Sequence, residues 1–355
     1  MFLFGYLALW ALGWGGDLPN SWRRSTGLAV GQGVCSYGDL PGYWTPVEGR
    51  SVGNWTLLDQ DCQLEDVLGR HLSLAKRSNV LSSDDVGILI LGDSADRNLI
   101  FDLCIEAGQQ VQPFNINLTS VGPKTCNRGE EWGTYKDVVN CNTCRIPGLR
   151  VTKESIWGFY EGEPPEQRLG LPLERSQAGM ELFKQEHGRY PDLVVLHSNY
   201  WDIAQIVLFR QWDAPEADYV RTMQPWLHNA AKVASYLKAK AEETGMMLAY
   251  RTVQYPQLEN VTESGAAKDH QIGQRYHVTY LNAAGRELAR KFDMFLVDIE
   301  LMFQKFWSTS EFLVDNHHLN RDANYQVLNV YLNLLRNQKR STPHRRLASR
   351  ALKMS

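Results

Sequence analysis

The sequence lacks the excess of positive charge that a protein needs to bind nucleic acid through its phosphates. Its 37 basic residues are outnumbered by 40 acidic ones, and the formal net charge is −3. It also lacks internal repeats and low-complexity tracts, and its share of apolar residues is that of a globular protein. We therefore expect a globular protein with no nucleic-acid partner.

The sequence has little that could cross a membrane. A spanning helix needs about 20 apolar residues, and the uncharged run at positions 1–15 is shorter than that. The run has the length of a signal peptide's apolar core, although it lacks the basic residues that usually begin one. We expect a signal peptide or signal anchor at 1–15, with a buried N-terminal helix or an imperfect gene start as alternatives. Membrane contact is expected only through such an anchor.

Cysteine is absent from the last 200 residues of the chain. The first 144 residues hold six cysteines, an even number that predicts two or three disulfides and an oxidising compartment: Cys35, Cys62, Cys104, Cys126, Cys141 and Cys144. The last two form a Cys-x-x-Cys pair, for which zinc is the alternative ligand. Because a structural zinc site needs a second close pair, we expect no metal there.

Three Asn-x-Ser/Thr triplets are candidate N-glycosylation sites, at Asn54, Asn117 and Asn260. Such triplets arise by chance, but glycosylation would occur in the same compartment as disulfide formation. Together with the cysteines and the apolar start, they predict a protein of the secretory pathway, in the ER or Golgi lumen or outside the cell.

Short apolar runs alternate with helical patterns along most of the chain. The runs predict buried strands, at 86–91, 192–197, 247–253 and 294–299. Helical periodicity lies between them, at about 216–244 and 275–291, and again after residue 321. This alternation predicts an α/β fold with a doubly wound parallel sheet, covered by helices on both faces.

The remaining segments define the predicted domain organisation. Residues 16–80 are rich in Gly, Trp, Pro and Asp and predict an irregular, disulfide-bearing N-terminal region. A catalytic domain is expected over 81–338, with a long insertion at about 120–170. Residues 339–355 are basic and predict a solvated tail.

Ser94 follows the strongest strand of the sequence, in Gly92-Asp93-Ser94. At the carboxyl edge of a parallel sheet, a serine at the start of the next helix presents its hydroxyl beside backbone N–H groups that could stabilise an oxyanion. The alternative is a helix cap, in which Asp93 or Ser94 satisfies those N–H groups. Its position favours Ser94 as a nucleophile.

A serine nucleophile needs a base, and only one of the nine histidines lies three residues after an aspartate: His318, after Asp315. At this spacing the carboxylate can hold one ring nitrogen while the other faces the serine. A metal site formed by Asp315, His317 and His318 is the alternative, but no further ligand cluster favours it. We interpret His317 as a surface or supporting residue.

Asn199 follows the strand at 192–197 and could donate its amide N–H to an oxyanion, together with the backbone N–H of Ser94. The alternative is a turn-forming asparagine. Taken alone, the asparagine would be assigned to a turn.

The order of Gly92-Asp93-Ser94, Asn199 and Asp315-x-x-His318 resembles the SGNH (GDSL-type) hydrolase superfamily. Within it the chain is most similar to the PC-esterase branch, which includes trichome-birefringence-like polysaccharide O-acetyltransferases. That similarity rests on Arg97-Asn98 after the serine and on Trp55…Asp61-Cys62-x-Leu64. The superfamily's second-block glycine has no clear counterpart, Gly158 being the candidate. Leu319-Asn320 stands where the plant transferases have a cysteine soon after the histidine.

The resemblance implies a three-layer α/β/α sandwich and an acyl-transfer enzyme with Ser94 as nucleophile, His318 as base and Asp315 as its partner. Ser94 and Asn199 would form the oxyanion hole, and no cofactor is needed. The implied substrate is an acyl ester of carbohydrate, most plausibly acetyl, cleaved by water or transferred to a sugar. The alternatives are a non-catalytic glycan-binding protein on this fold and an esterase of lipid or small esters.

Overall fold

The structure is a computed structural model that describes ten segments of the chain: residues 35–77, 85–113, 141–156, 158–159, 171–197, 200–203, 219–256, 275–306, 311–315 and 317–352. The strands are β1 (Gly42–Thr45), β2 (Asn54–Leu57), β3 (Val86–Gly92), β4 (Gln112–Pro113), β5 (Cys141–Ile146), β6 (Leu149–Ser155), β7 (Leu193–His197), β8 (Met247–Arg251) and β9 (Phe295–Val297). The helices are α1 (Val67–Ala75), α2 (Ser94–Glu106), α3 (Pro172–His187), α4 (Tyr219–Thr244), α5 (Arg275–Lys291), α6 (Ile299–Met302) and α7 (Arg321–Leu352).

Seven of these strands form one sheet in the order β4-β5-β6-β3-β7-β8-β9. The five strands from β6 to β9 are parallel, and β5 and β4 continue the sheet antiparallel at one side. The chain after β3 first builds the β6 side and then crosses to β7 on the other side. The carboxyl end of β3 is therefore the point where a doubly wound sheet opens a crevice for ligands.

Central strand β3 is apolar at nearly every position because both of its faces are covered. Ile88 and Ile90 pack on one side with α1, α2 and α7, whereas Leu89 and Leu91 pack on the other with α3, α4 and α5. All four side chains are fully buried, and each contributes about 1.5–3 kcal/mol through removal from water. The predicted fold class, a three-layer α/β/α sandwich, is confirmed.

The segment at 120–170 was expected to be an insertion, but its part from 141 to 155 forms two strands of the main sheet. Strand β6, with the sequence LRVTKES, is buried at all seven positions despite its polar composition. Two of its charged side chains have polar partners inside the protein: Glu154 pairs with Arg175 of α3, and Lys153 donates to the Ser155 hydroxyl at 2.6 Å. A buried strand of this composition has no apolar run to reveal it.

Two disulfides confirm the prediction for four of the six cysteines. Cys35 is bonded to Cys62, and Cys104 of α2 to Cys144 of β5, with Cα–Cα distances of 5.5 and 5.6 Å. A Cys144 sulfur held in a disulfide is not available as a zinc thiolate. Cys126 and the side chain of Cys141 lie outside the described residues.

The described part of the N-terminal region is a β1–β2 hairpin, a 3₁₀ turn at Gln60–Cys62 and helix α1. It packs against the last helix, which continues past residue 338 to Leu352, into the segment predicted as a basic tail. Residues 1–34 and 353–355 lie outside the described residues, so the predicted signal segment does too. No helix within the described segments is both long and apolar enough to cross a membrane.

Side chains of α7 bind the backbone of this N-terminal region directly. Asn329 accepts the N–H groups of Val67 and Leu68 at 3.0 and 3.1 Å, and Asn333 accepts the Glu65 N–H at 3.0 Å. The two Asn329 bonds satisfy N–H groups of the first residues of α1, which have no partner within their own helix. The N-terminal region is thus part of the same folded unit as the sheet.

Candidate active site

Ser94 is the first residue of α2, directly after β3 and the capping residue Asp93. The Asp93 carboxylate accepts the N–H of Ala95 at 3.0 Å, so the cap is provided by Asp93 and the Ser94 hydroxyl is left for another partner. Gly92 is required here, because a Cβ at that position would lie 1.9 Å from Oδ2 of Asp96. The tight turn explains why the sequence carries a glycine between the strand and the helix.

The hydrogen-bond partner of the Ser94 hydroxyl is His318. Its Nε2 lies 2.9 Å from Oγ of Ser94, and its Nδ1 lies 2.7 Å from Oδ2 of Asp315. The other Asp315 oxygen accepts the backbone N–H groups of His317 and His318 at 2.9 and 2.7 Å. With Nδ1 protonated towards Asp315, Nε2 is the acceptor for the serine proton.

The charge of Asp315 is stabilised by this arrangement. Burial acts to raise the pKa of its carboxyl group, but the hydrogen bond and charge of His318 and the His317 N–H outweigh burial and hold the pKa well below its usual range. Asp315 is therefore ionised at neutral pH and can stabilise an imidazolium at His318.

The loop that carries Asp315 and His318 has little regular structure of its own. One antiparallel bridge joins Leu313 to Leu319, and Phe312 stacks below it on Phe303, with ring centroids 5.1 Å apart. From outside the loop, the Gln254 side chain donates to the His317 carbonyl oxygen. The Asn320 amide donates to the Ser51 hydroxyl of the N-terminal region at 2.9 Å.

A buried ionic cluster lies beneath the serine, and sequence reasoning missed it. Asp96 in the first turn of α2 contacts His197 at 2.7 Å and Arg251 at 2.5 Å, and the three side chains are at most 1% exposed. Burial acts to raise the pKa of Asp96, but His197 and Arg251 outweigh it and hold the pKa well below its usual range. The available signal was a histidine at the end of apolar strand β7 and an arginine at the end of apolar strand β8.

His317 is a half-buried neighbour of His318. Its ring centroid lies 4.1 Å from that of His318 and 5.3 Å from that of Tyr200, which it meets edge-on. Together with Asp315, the two histidines place ligand atoms within 4.8 Å of one another, close enough to hold a metal ion. A cation bound by His318 would have to replace its hydrogen bond to Ser94 or to Asp315.

The predicted oxyanion asparagine, Asn199, lies outside the described residues. Gly158, the candidate second-block glycine, has φ +87°, and a Cβ there would lie 2.2 Å from Oδ1 of Asp202. The Ile156 N–H donates to the Gly92 carbonyl at 2.8 Å, which keeps the segment before Gly158 beside the Ser94 turn. Gly158 thus lies at the same sheet edge as the serine, in a conformation that requires glycine.

One of the three predicted glycosylation sites, Asn54, lies among the described residues. Asn54 is exposed at the start of β2, where its side-chain oxygen accepts from Gln326 at 3.2 Å. Asn117 and Asn260 lie outside the described residues. Glycosylation stays a prediction.

A scan against models of protein families finds no match, and a search of curated proteins finds none either. Among solved structures, the chain is similar to a GDSL-like lipase from Bacteroides thetaiotaomicron, with 12% identity, a TM-score of 0.38, and coverage of 77% of this chain and 98% of that one. It is also similar to a catalytic mutant of an acetylxylan esterase from Geobacillus stearothermophilus, with 15% identity, a TM-score of 0.35, and coverage of 73% and 96%. A lipase/acylhydrolase from Enterococcus faecalis matches with 14% identity, a TM-score of 0.32, and coverage of 72% and 94%. These likenesses are distant.

Proposed function

We propose that the protein is a serine esterase or O-acyltransferase in which Ser94, His318 and Asp315 act together. The observation that carries the proposal is the continuous hydrogen-bonded chain from Asp315 through His318 to Ser94, with distances of 2.7 and 2.9 Å. The serine is separated from the histidine by 224 positions of the sequence. A cap or a surface turn would need no such alignment, whereas nucleophilic catalysis does.

The reaction begins when Nε2 of His318 takes the proton of the Ser94 hydroxyl. The Ser94 oxygen then bonds to the ester carbonyl carbon, and the negative charge moves to the carbonyl oxygen. As the ester C–O bond breaks, the same imidazole returns the proton to the departing alcohol. Water or a sugar hydroxyl then cleaves the acyl-enzyme by the reverse sequence of proton transfers.

The negative charge of that intermediate needs donors at the sheet edge. We assign them to the backbone at the start of α2 and to Asn199, with the Gly158 segment as the neighbouring backbone. No step of this mechanism requires a cofactor or a metal.

For the substrate we propose an acetyl ester of a carbohydrate, as the resemblance to the PC-esterase branch implies. The two disulfides favour an oxidising compartment, the secretory pathway or the exterior, where such glycans occur. The rival functions are an esterase of lipid or small esters and a glycan-binding protein without catalysis. The aligned Ser94–His318–Asp315 chain argues against the second of these, because binding alone needs no activated serine.

The test is labelling by a fluorophosphonate probe, read by intact mass, followed by a panel of acyl donors. We expect one adduct on the wild type and none on Ser94→Ala, with turnover lost by several orders of magnitude. Ser73→Ala, which removes an exposed serine of α1, is the matched control and should label fully. An adduct that persists in Ser94→Ala, or no adduct on the wild type, would overturn the proposal.

A further inference from the structure

His317 is held rigidly beside the reacting groups. Its backbone N–H donates to Asp315 at 2.9 Å, and its carbonyl oxygen accepts from the Gln254 side chain. Its ring contacts those of both His318 and Tyr200, and the Tyr200 hydroxyl donates to the carbonyl oxygen of Gln254. Backbone and ring are thus fixed by separate contacts, which makes the ring position well defined before any ligand binds.

The His317 ring keeps its own hydrogen-bonding capacity. Its side chain is 36% exposed, and its Nδ1 lies 3.8 Å from Asp315, beyond hydrogen-bond distance. Within the described segments, neither of its ring nitrogens makes a hydrogen bond. Burial and the charge of His318 lower the pKa of His317 to about 4, so at neutral pH the ring offers one N–H donor and one nitrogen acceptor.

The reaction places a particular part of the substrate next to this ring. The leaving alcohol oxygen takes its proton from Nε2 of His318, so it must come within about 2.6–3.2 Å of that nitrogen. The atoms attached to that oxygen then lie against the His318 imidazole, whose centroid is 4.1 Å from the centroid of His317. A hydroxyl next to the ester position of a sugar would come within reach of His317.

We infer that His317 is a specificity-determining residue, whose imidazole hydrogen-bonds a hydroxyl of the leaving alcohol and thereby selects esters of polyols, such as sugars, over esters of simple alcohols. The inference rests on the proposed serine mechanism and names the alcohol class that the same site prefers. One neutral hydrogen bond corresponds to a preference of about ten-fold.

The experiment compares two acetyl esters whose alcohols are six-membered rings, a methyl pyranoside monoacetate and cyclohexyl acetate. The quantity measured is the ratio of their kcat/KM values. His317→Phe keeps an aromatic ring beside His318 and Tyr200 but removes both ring nitrogens. We therefore expect the ratio to fall about ten-fold, while kcat/KM for cyclohexyl acetate changes less than about three-fold. His317→Gln restores a donor and an acceptor and should recover part of the ratio.

His228→Phe is the matched control, because His228 is exposed on α4, on the opposite side of the sheet from α2, and should leave both esters unchanged. An unchanged ratio in His317→Phe, or an equal loss on both esters, would overturn the inference. So would a wild type that cleaves cyclohexyl acetate but not the pyranoside ester, a result that leaves the serine esterase intact. A wild type that cleaves neither ester and takes no fluorophosphonate label contradicts the proposed function itself.

Discussion

The two halves of the candidate site are built in different ways. Ser94 stands between the central strand and a helix, where Ile88, Ile90 and Leu91 are fully buried and a disulfide joins α2 to β5. Asp315 and His318 stand on a loop whose described residues form one bridge and accept or donate hydrogen bonds from elsewhere in the chain. The proposed nucleophile is therefore positioned by the central strand and its helix. The proposed base is positioned by a loop that is anchored in the core through Phe312 and Leu319 and held further by polar contacts.

Because the two halves are held differently, substitutions in one should mainly affect stability and substitutions in the other should mainly affect activity. Substitutions in the Asp96–His197–Arg251 cluster beneath Ser94 should destabilise the fold, because these side chains are buried in the core. Substitutions at the polar supports of the Asp315 loop should leave the fold in place and misplace His318 relative to a correctly positioned Ser94. Both kinds of substitution should disturb the 2.9 Å hydrogen bond between His318 and Ser94.

The largest loss of kcat/KM is expected from substitution of the proposed base, His318, or of its partner, Asp315. His318→Ala should lower kcat/KM nearly as far as Ser94→Ala, and Asp315→Asn by about 10⁴, the cost of the wrong imidazole tautomer in a well-studied triad. Both variants should unfold at nearly the wild-type temperature. Rates are measured with and without EDTA, which should change nothing. If EDTA inactivates the wild type and His317→Ala fails as badly as His318→Ala, the three residues hold a metal and the triad is wrong.

A smaller effect, on stability rather than chemistry, is expected from Asp96→Asn. The change leaves Arg251 buried without its counter-charge, which typically costs about 3–5 kcal/mol of the free energy of unfolding. Urea denaturation measures this loss. Asp293→Asn, which breaks an exposed ion pair with Lys238, is the control and should cost less than about 1 kcal/mol. An equal, small change in both variants would show that the cluster is not a stability element.

The buried cluster around Asp96 also predicts that the stability of the fold depends on pH. Because the folded pKa of Asp96 is depressed, its contribution to stability is present above the unfolded pKa of about 3.9 and is lost as the pH falls through the folded value. The difference in urea midpoint between wild type and Asp96→Asn should therefore shrink below about pH 4. A difference that stays constant under acid would mean that the charge of Asp96 is not what stabilises the fold.

The smallest effect is expected from Ser51→Ala, which removes the hydroxyl that Asn320 and Asp322 contact at 2.9 Å. We expect kcat to fall about two- to five-fold and stability to fall by about 1 kcal/mol or less, since exposed hydrogen bonds contribute little. Thr45→Ala removes a similar exposed hydroxyl pair with Thr56 in the β1–β2 hairpin and should leave kcat unchanged. Equal kcat values for the two variants would show that the N-terminal region does not help to position His318.

The sequence was sufficient where the signal is local. Ser94 follows an apolar strand, and Asp315 lies three residues before His318, so neighbouring residues alone predicted the strand, the turn and the pair. The buried charges could not be predicted in this way. Asp96 and Arg251 are 155 positions apart, and β6 resembles a polar loop unless Arg175 of α3 is known to face it. Burial of charge depends on partners that only the fold brings together.

The attachment of the last helix to the first described residues has a consequence for biosynthesis. The Asn337 side chain donates to the carbonyl oxygen of Cys35, which lies 302 positions earlier. At a translation rate of about 5–20 residues per second, the early segment waits roughly 15–60 s before α7 emerges. During that interval Asn329 has not been made, so α1 lacks the group that accepts the N–H of its first two residues, Val67 and Leu68. The nascent chain should therefore remain a substrate for chaperones until α7 is synthesised, and truncation before Asn329 should block folding of the whole protein.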